Sequence, residues 1–215
     1  MMKKWGEVCA IVLCLSTVAL LQGCATLVSS VPFRYVPSLT VAEPNQLNVG
    51  MEELVDKRPA ADIKSTQNIS DVSDKVTATL LQDFTTSRIF HELNYPPQRD
   101  KDSLVIKGEI NRFYWKYKPS PIIFIPFIGC LVYLGVPAGH ATGICDISLQ
   151  LTDAKTGAVV GEYNWTDTRK TSYTIYNMKT GEAGTELADA FREVSEHLKE
   201  AIVSDIRAGR FKKYQ

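Results

Sequence analysis

The chain has no excess of either charge: 24 Lys and Arg stand against 24 Asp and Glu in 215 residues. Taken whole, it projects no strong field toward nucleic acid or an acidic lipid surface, so no nucleic-acid partner is expected. Histidine is scarce and scattered, with only His91, His140 and His197. His140 and Cys145 have no second ligand pair at zinc spacing, and no metal is expected. A Gly-rich phosphate loop, a Ser nucleophile elbow and an HExxH helix are all missing, so neither a cofactor nor an enzyme is expected. Heptads, fixed-period repeats and low-complexity blocks are missing too, which excludes coiled coils and solenoids. With 45% hydrophobic and 22% charged residues, one ordinary globular domain, with or without an arm, is the expectation.

Long apolar runs are also lacking. Lys3 and Lys4 precede Val8 to Leu21, whose only polar interruptions are Ser16 and Thr17. That run is shorter than the roughly 20 residues of a spanning helix and fits the core of a secretory signal. It ends in Leu21-Gln22-Gly23-Cys24, which resembles the lipobox of bacterial lipoproteins. The resemblance implies that the Cys24 sulfur receives a diacylglycerol and that cleavage frees its amine for a further acyl chain. Two such chains suffice for stable anchoring. It further implies, with Ala25 following the Cys, an outer-membrane lipoprotein whose body lies in the periplasm. The expected organisation is signal peptide 1–23, lipidated tether 24–45, α+β domain 46–208 and basic tail 209–215. Of five cysteines only Cys130 and Cys145 then remain, in a compartment where disulfides persist. They bracket a turn at Pro137-Ala138 and form either a disulfide or two buried free thiols.

Further along, Leu47, Val49 and Met51 alternate as a strand, and Asp56 to Pro59 turns out of it. Val72, Val76, Leu80 and Phe84 predict a helix over 71–87, with Ser70 as its cap. Threonines 77, 79, 85 and 86 are poor helix formers, so packing must hold it. Residues 103–117 predict a long strand in which Leu104, Ile106 and Ile110 share a face with Phe113 and Trp115 only if a bulge lies near Asn111. Cys145, Ile147, Leu149 and Leu151 alternate into a turn at Asp153 to Gly157. Val159, Tyr163 and Trp165 carry the inner face of the return strand. Residues 169–184 read as a loop or frayed strand. Leu187, Phe191, Val194, Leu198, Ile202 and Ile206 predict a final helix over 185–208, with Glu193, Glu196, Lys199 and Glu200 on its wet side. The expected fold class is α+β: a mainly antiparallel sheet with two helices packed on one face, plus an apolar loop or hairpin at 119–140.

That last segment contains the most apolar run after the signal. Residues 122–136 are too short and too broken by Pro126 and Gly129 for a spanning helix. They do not alternate as a strand in lipid would. They either fold over the sheet as a buried connection or stand out as an exposed finger that meets a partner or a membrane. In the second case Ile122, Ile123, Phe124, Ile125, Phe127, Ile128, Leu131 and Tyr133 are the contact residues. Glu52, Glu53 and Asp56 read as a solvated strand end, and Asp167 with Arg169 as a surface ion pair.

The strand "LNVGMEELVDKR" with Asp56 and Arg58, the Val76/Leu80/Phe84 helix, "LVIKGEINRFYW" and "LTDAKTGAVVGEY" together resemble YajG-like envelope lipoproteins. More distantly they are similar to the α/β module of the TolB amino-terminal domain and the curli secretion lipoprotein. The resemblance implies a non-catalytic binding or accessory module in envelope assembly or transport, with an envelope protein partner or self-association. The curli likeness implies an alternative, a subunit of an oligomeric secretion or transport channel using the 119–140 finger.

Overall fold

The computed structural model describes residues 45–65, 71–125, 128–174, 176 and 184–215, with backbone alone at 64, 65 and 128–130. The lipobox, the tether as far as Pro44, Ser70 and Phe127 lie outside the described residues. The elements are β1 (Asn48–Met51), β2 (Val55–Asp56), α1 (Ala60–Ser65), α2 (Val72–Thr86), β3 (Glu92–Asn94), β4 (Leu104–Pro119), β5 (Gly139–Asp153), β6 (Val159–Tyr173) and α3 (Thr185–Arg207).

These strands form one sheet in the order β3-β1-β4-β5-β6, with β2 farther along the β1 edge of β4. The fold is α+β and the sheet is mixed, its long ladders antiparallel and its short ones parallel. β1 pairs in parallel with β3 and β4, and β2 in parallel with β4. Only β4-β5 and β5-β6 run antiparallel. The reason is the helix between β1 and β3. A crossover helix returns the chain to the end it left, so the next strand must run the same way. A third helix, the short α1, was not foreseen; its Asp62 receives Arg112 of β4 at 3.1 Å.

The long strands follow from their own patterning. Cys145, Ile147, Leu149 and Leu151 all bury their side chains, as alternation requires. The turn closes because the Asp153 carboxylate accepts the amides of Lys155 and Thr156 at 2.8 and 2.9 Å. Gly157 supplies the φ of 72°. The β4 bulge falls between Ile110 and Arg112. There Asn111 Nδ2 donates to Ser148 Oγ at 2.7 Å and Asp146 Oδ1 at 3.2 Å, which fixes the extra residue to β5. Past it, Phe113 joins Leu104, Ile106 and Ile110 in the core. Tyr163 is buried, with its hydroxyl donating to Asp205 at 2.8 Å. Val159 and Trp165, expected inside, are half-exposed, and Trp165 stacks on His197 at 4.1 Å. β6 runs on to Tyr173, into the stretch read as a loop or frayed strand.

Helices α2 and α3 contribute to one apolar cluster with the strands. Asp71 holds the cap position of α2, in a left-handed conformation without a side-chain cap bond. The threonines of α2 turn their hydroxyls back on carbonyls four residues earlier. Buried Thr77 also accepts the Leu54 amide at 3.0 Å, which ties the helix to the β1–β2 connection. Lys199, expected on the wet side of α3, is instead fully buried. Its ammonium donates to Asp83 of α2 at 2.8 Å and to Glu196 at 2.9 Å, and Ser195 donates to the same Asp83. The basic tail also differs from expectation: Phe211 is buried and a 3-10 turn follows at Lys212–Tyr214.

Removing one member of a buried pair leaves an uncompensated charge, whereas replacing both with apolar groups is close to neutral. Lys199→Ala is therefore expected to destabilise the fold by about 3–5 kcal/mol, and Lys199→Met with Asp83→Leu to recover most of that. Urea unfolding midpoints of the two variants check this.

Candidate functional site

Helix α3 reaches the sheet at Gly143 and goes no farther along the hairpin. A Cβ on Gly143 would stand 2.3 Å from the Leu187 amide nitrogen, so only glycine permits this approach. The buried Glu186 carboxylate then accepts Trp115 Nε1 at 2.8 Å and the Tyr173 hydroxyl at 2.5 Å. Those two bonds clamp β4 and β6 to the start of the helix. Outside the clamp, Tyr117 meets Tyr173 edge to face at 6.4 Å and lies over Gly139.

Beyond this aromatic pair the hairpin ends in two 3-10 turns, Pro121–Phe124 and Ile128–Leu134. Ser120 donates its amide to Ala138 at 2.8 Å, and Ala138 donates to Tyr173 at 2.7 Å, which closes the base. Val132 is buried, and the Tyr176 hydroxyl donates to the Tyr133 carbonyl. Most of the other large apolar side chains among the described residues of this end face outward. Phe124 is 69% exposed, Tyr133 71% and Leu134 80%, with Ile123, Ile125, Leu131 and Tyr176 also exposed. Ile122 is half-buried. Of the two readings of the apolar stretch, the described residues form the exposed finger, not the buried connection.

The other residues singled out from sequence do not converge. Cys145 is a free thiol buried in the core. Burial pushes its pKa well up, with the Asp146 and Asp167 charges adding to the effect. Such a thiol is inert. The side chain of Cys130 lies outside the described residues. His140 Nδ1 lies 3.0 Å from Ser172 Oγ, and His197 sits between Glu193 and Glu200 at 3.4 Å each. Among the described residues no three His, Cys, Asp or Glu form a metal-sized group. Glu52 pairs with Lys107 at 3.1 Å on the wall of an open groove of about 480 Å³ that Arg99 and Asp153 also line. Asp167 and Arg169 form the expected ion pair at 2.6 Å, extended to Glu193 of α3 at 2.7 Å.

Three lysines that attracted no attention in the sequence complete the finger. Lys116, Thr142 and Lys170 share one cross-strand row, and Lys118, His140 and Ser172 the next. Both rows lie on the sheet face opposite Gly143 and α3. All three lysines are exposed. A signal for them was legible: from Ile110 to Cys145 the chain has no Asp or Glu.

No family model matches the chain, and no curated protein matches it. Among solved structures it is similar to a Xanthomonas campestris protein of the DUF330 family model. Identity there is 14%, over 84% of this chain and 99% of that one, with a TM-score of 0.48. It is similar also to a neuraminyllactose-binding hemagglutinin homolog from Helicobacter pylori, at 11% identity over 85% and 97% of the two chains and a TM-score of 0.49. A third is the uncharacterized lipoprotein B from Nitrosomonas europaea, with 13% identity, 85% and 97% coverage and a TM-score of 0.38. Bacterial lipoproteins are thus among the structures it is similar to. At these identities and scores no residue role passes from them to this chain.

The Asp56–Arg58 pair bears on acid stability. The Arg58 guanidinium grips Asp56 through Nε at 2.9 Å and Nη2 at 2.8 Å and holds its carboxyl below the usual 3.8. A depressed folded pKa stabilises the fold above the unfolded value, and that contribution is lost as pH falls through the folded one. Asp56→Asn is expected to cost under about 1 kcal/mol at neutral pH, since the pair is partly solvated. The gap from the parent protein should narrow as pH falls below 3.8. Thermal melts across pH check both ends.

Proposed function

We propose that this chain is a lipid-anchored protein of the bacterial envelope that acts by binding, as an accessory or scaffold in envelope assembly or transport. The hairpin end is its contact surface. The observation that carries the reading is the exposed apolar group Phe124, Ile125, Leu131, Tyr133 and Leu134 at the extremity of a long hairpin. Large exposed apolar patches are uncommon on soluble monomers and mark interaction sites. The anchor rests on the Leu21-Gln22-Gly23-Cys24 sequence after its short apolar run. Among the described residues no helix is long and apolar enough to cross a membrane. Ala25 favours the outer membrane, with the domain in the periplasm. The chemistry the reading rests on is recognition: aliphatic and aromatic side chains are exposed at the extremity and lysines stand behind them.

Replacing Cys24 removes the acyl attachment point without touching the domain. Cys24→Ala is expected to be stripped from the membrane fraction by alkaline extraction while the parent chain stays, and cells fed labelled palmitate should label the parent chain and not the variant. A Cys24→Ala protein that still resists alkaline extraction would show that something else holds it.

A further inference from the structure

We propose that the hairpin end seats in the headgroup layer of an anionic phospholipid bilayer, giving the chain a second membrane attachment besides Cys24. This rests on reading the hairpin end as the contact surface, and it names that surface's partner.

Three observations support it. The end combines aliphatic Ile123, Ile125, Leu131 and Leu134 with Phe124, Tyr133 and Tyr176, all exposed. Amphipathic rings beside aliphatic side chains suit the boundary between headgroups and acyl chains. The 3-10 turns leave backbone groups at their ends without helical partners. Such groups are tolerated at headgroup level and not in the hydrocarbon, which limits the end to shallow insertion.

Charge is the second observation. Lys116, Lys118 and Lys170 project just behind the apolar end, on adjacent strands and adjacent rows. Among the described residues no ion pair joins any of the three. With no carboxylate between Ile110 and Cys145, this end is locally basic although the chain is neutral. Lysines at that height meet lipid phosphates, and each adds to the attraction of an anionic surface. The same lysines argue against a second copy as the occupant, because two ends meeting would place like charges side by side.

The third observation is reach. The described domain begins at Asn45, whose side chain is bonded to Ile89 and to the Leu47 amide at the Leu104 end of the sheet. From there β4 runs on the order of 50 Å to Pro119. The stretch from Cys24 to Asn45 spans at most about 70 Å. An acylated Cys24 and the hairpin end can therefore touch one bilayer, with the sheet inclined or lying along it.

Bromolipid quenching with the full acylated chain tests the proposal. Tyr133→Trp places an indole at the hairpin end, and Val159→Trp places one at the exposed opposite turn. Each is read against the parent protein in phosphatidylethanolamine–phosphatidylglycerol vesicles with brominated acyl chains. The indole at 133 is expected to shift to the blue and be quenched, and the one at 159 to do neither. Adding Lys116→Glu, Lys118→Glu and Lys170→Glu to the first variant should weaken the quenching on the order of tenfold or more, with circular dichroism unchanged. An unquenched indole at 133 in protein that still floats with the vesicles overturns the proposal and leaves the anchor standing. A blue shift that appears in detergent and grows with protein concentration overturns it in favour of self-association. A parent chain that does not float with the vesicles overturns the anchor and the two-point attachment together.

Discussion

The architecture depends on a mismatch of length between the three long strands and the helix that covers them. Strand β4 runs on the order of 50 Å, whereas α3 rises on the order of 35 Å. Its early turns rest on Gly143 and its late turns on Tyr163, which pairs with Leu149. Residues 139–142 and their neighbours thus extend past the helix. Ala138 and Ala141 are still buried there, but beyond them the larger apolar side chains Phe124, Tyr133 and Leu134 have no helix to cover them and face outward. The clamp of Glu186 on Trp115 and Tyr173 marks where the core stops and the finger begins.

Within the covered half, apolar burial supplies the driving force and a few polar groups set the register of the layers. Asp83 and Lys199 join α2 to α3 at one point, and Thr77 joins α2 to the β1–β2 connection. A buried ion pair is weak evidence of net stability, since desolvation offsets much of the attraction. Its consequence here is geometric. Sliding α3 by one turn would pull the buried Lys199 ammonium away from Asp83. The helix that positions the clamp is therefore itself held in place.

Much of this was readable in one dimension. Alternation at Cys145 to Leu151, the Asp153 to Gly157 turn and the stripe from Leu187 to Ile206 are local periodicities, and local sterics decide them. Even the bulge at Asn111 was legible, because only one extra residue brings Ile110 and Phe113 to the same face. The short strand at Glu92–Asn94 escaped notice because three residues carry no period. Lys199 looked like a solvated charge because its partner Asp83 lies 116 positions away. Trp165 looked buried by phase, yet β6 is the edge strand, where α3 gives only partial cover.

The sequence by itself determined which segments become strands and helices, where the hairpin turns and that an apolar stretch interrupts β4 and β5, since each of these depends on neighbours within a few residues. It also carries the lipobox-like ending at Cys24, a chemical signal that needs no fold. Tertiary structure alone decided that β1 pairs in parallel with strands on both sides, that Lys199 is buried and that the apolar stretch is exposed. Those outcomes depend on which distant elements meet and on how far a helix of fixed rise can reach along a longer sheet.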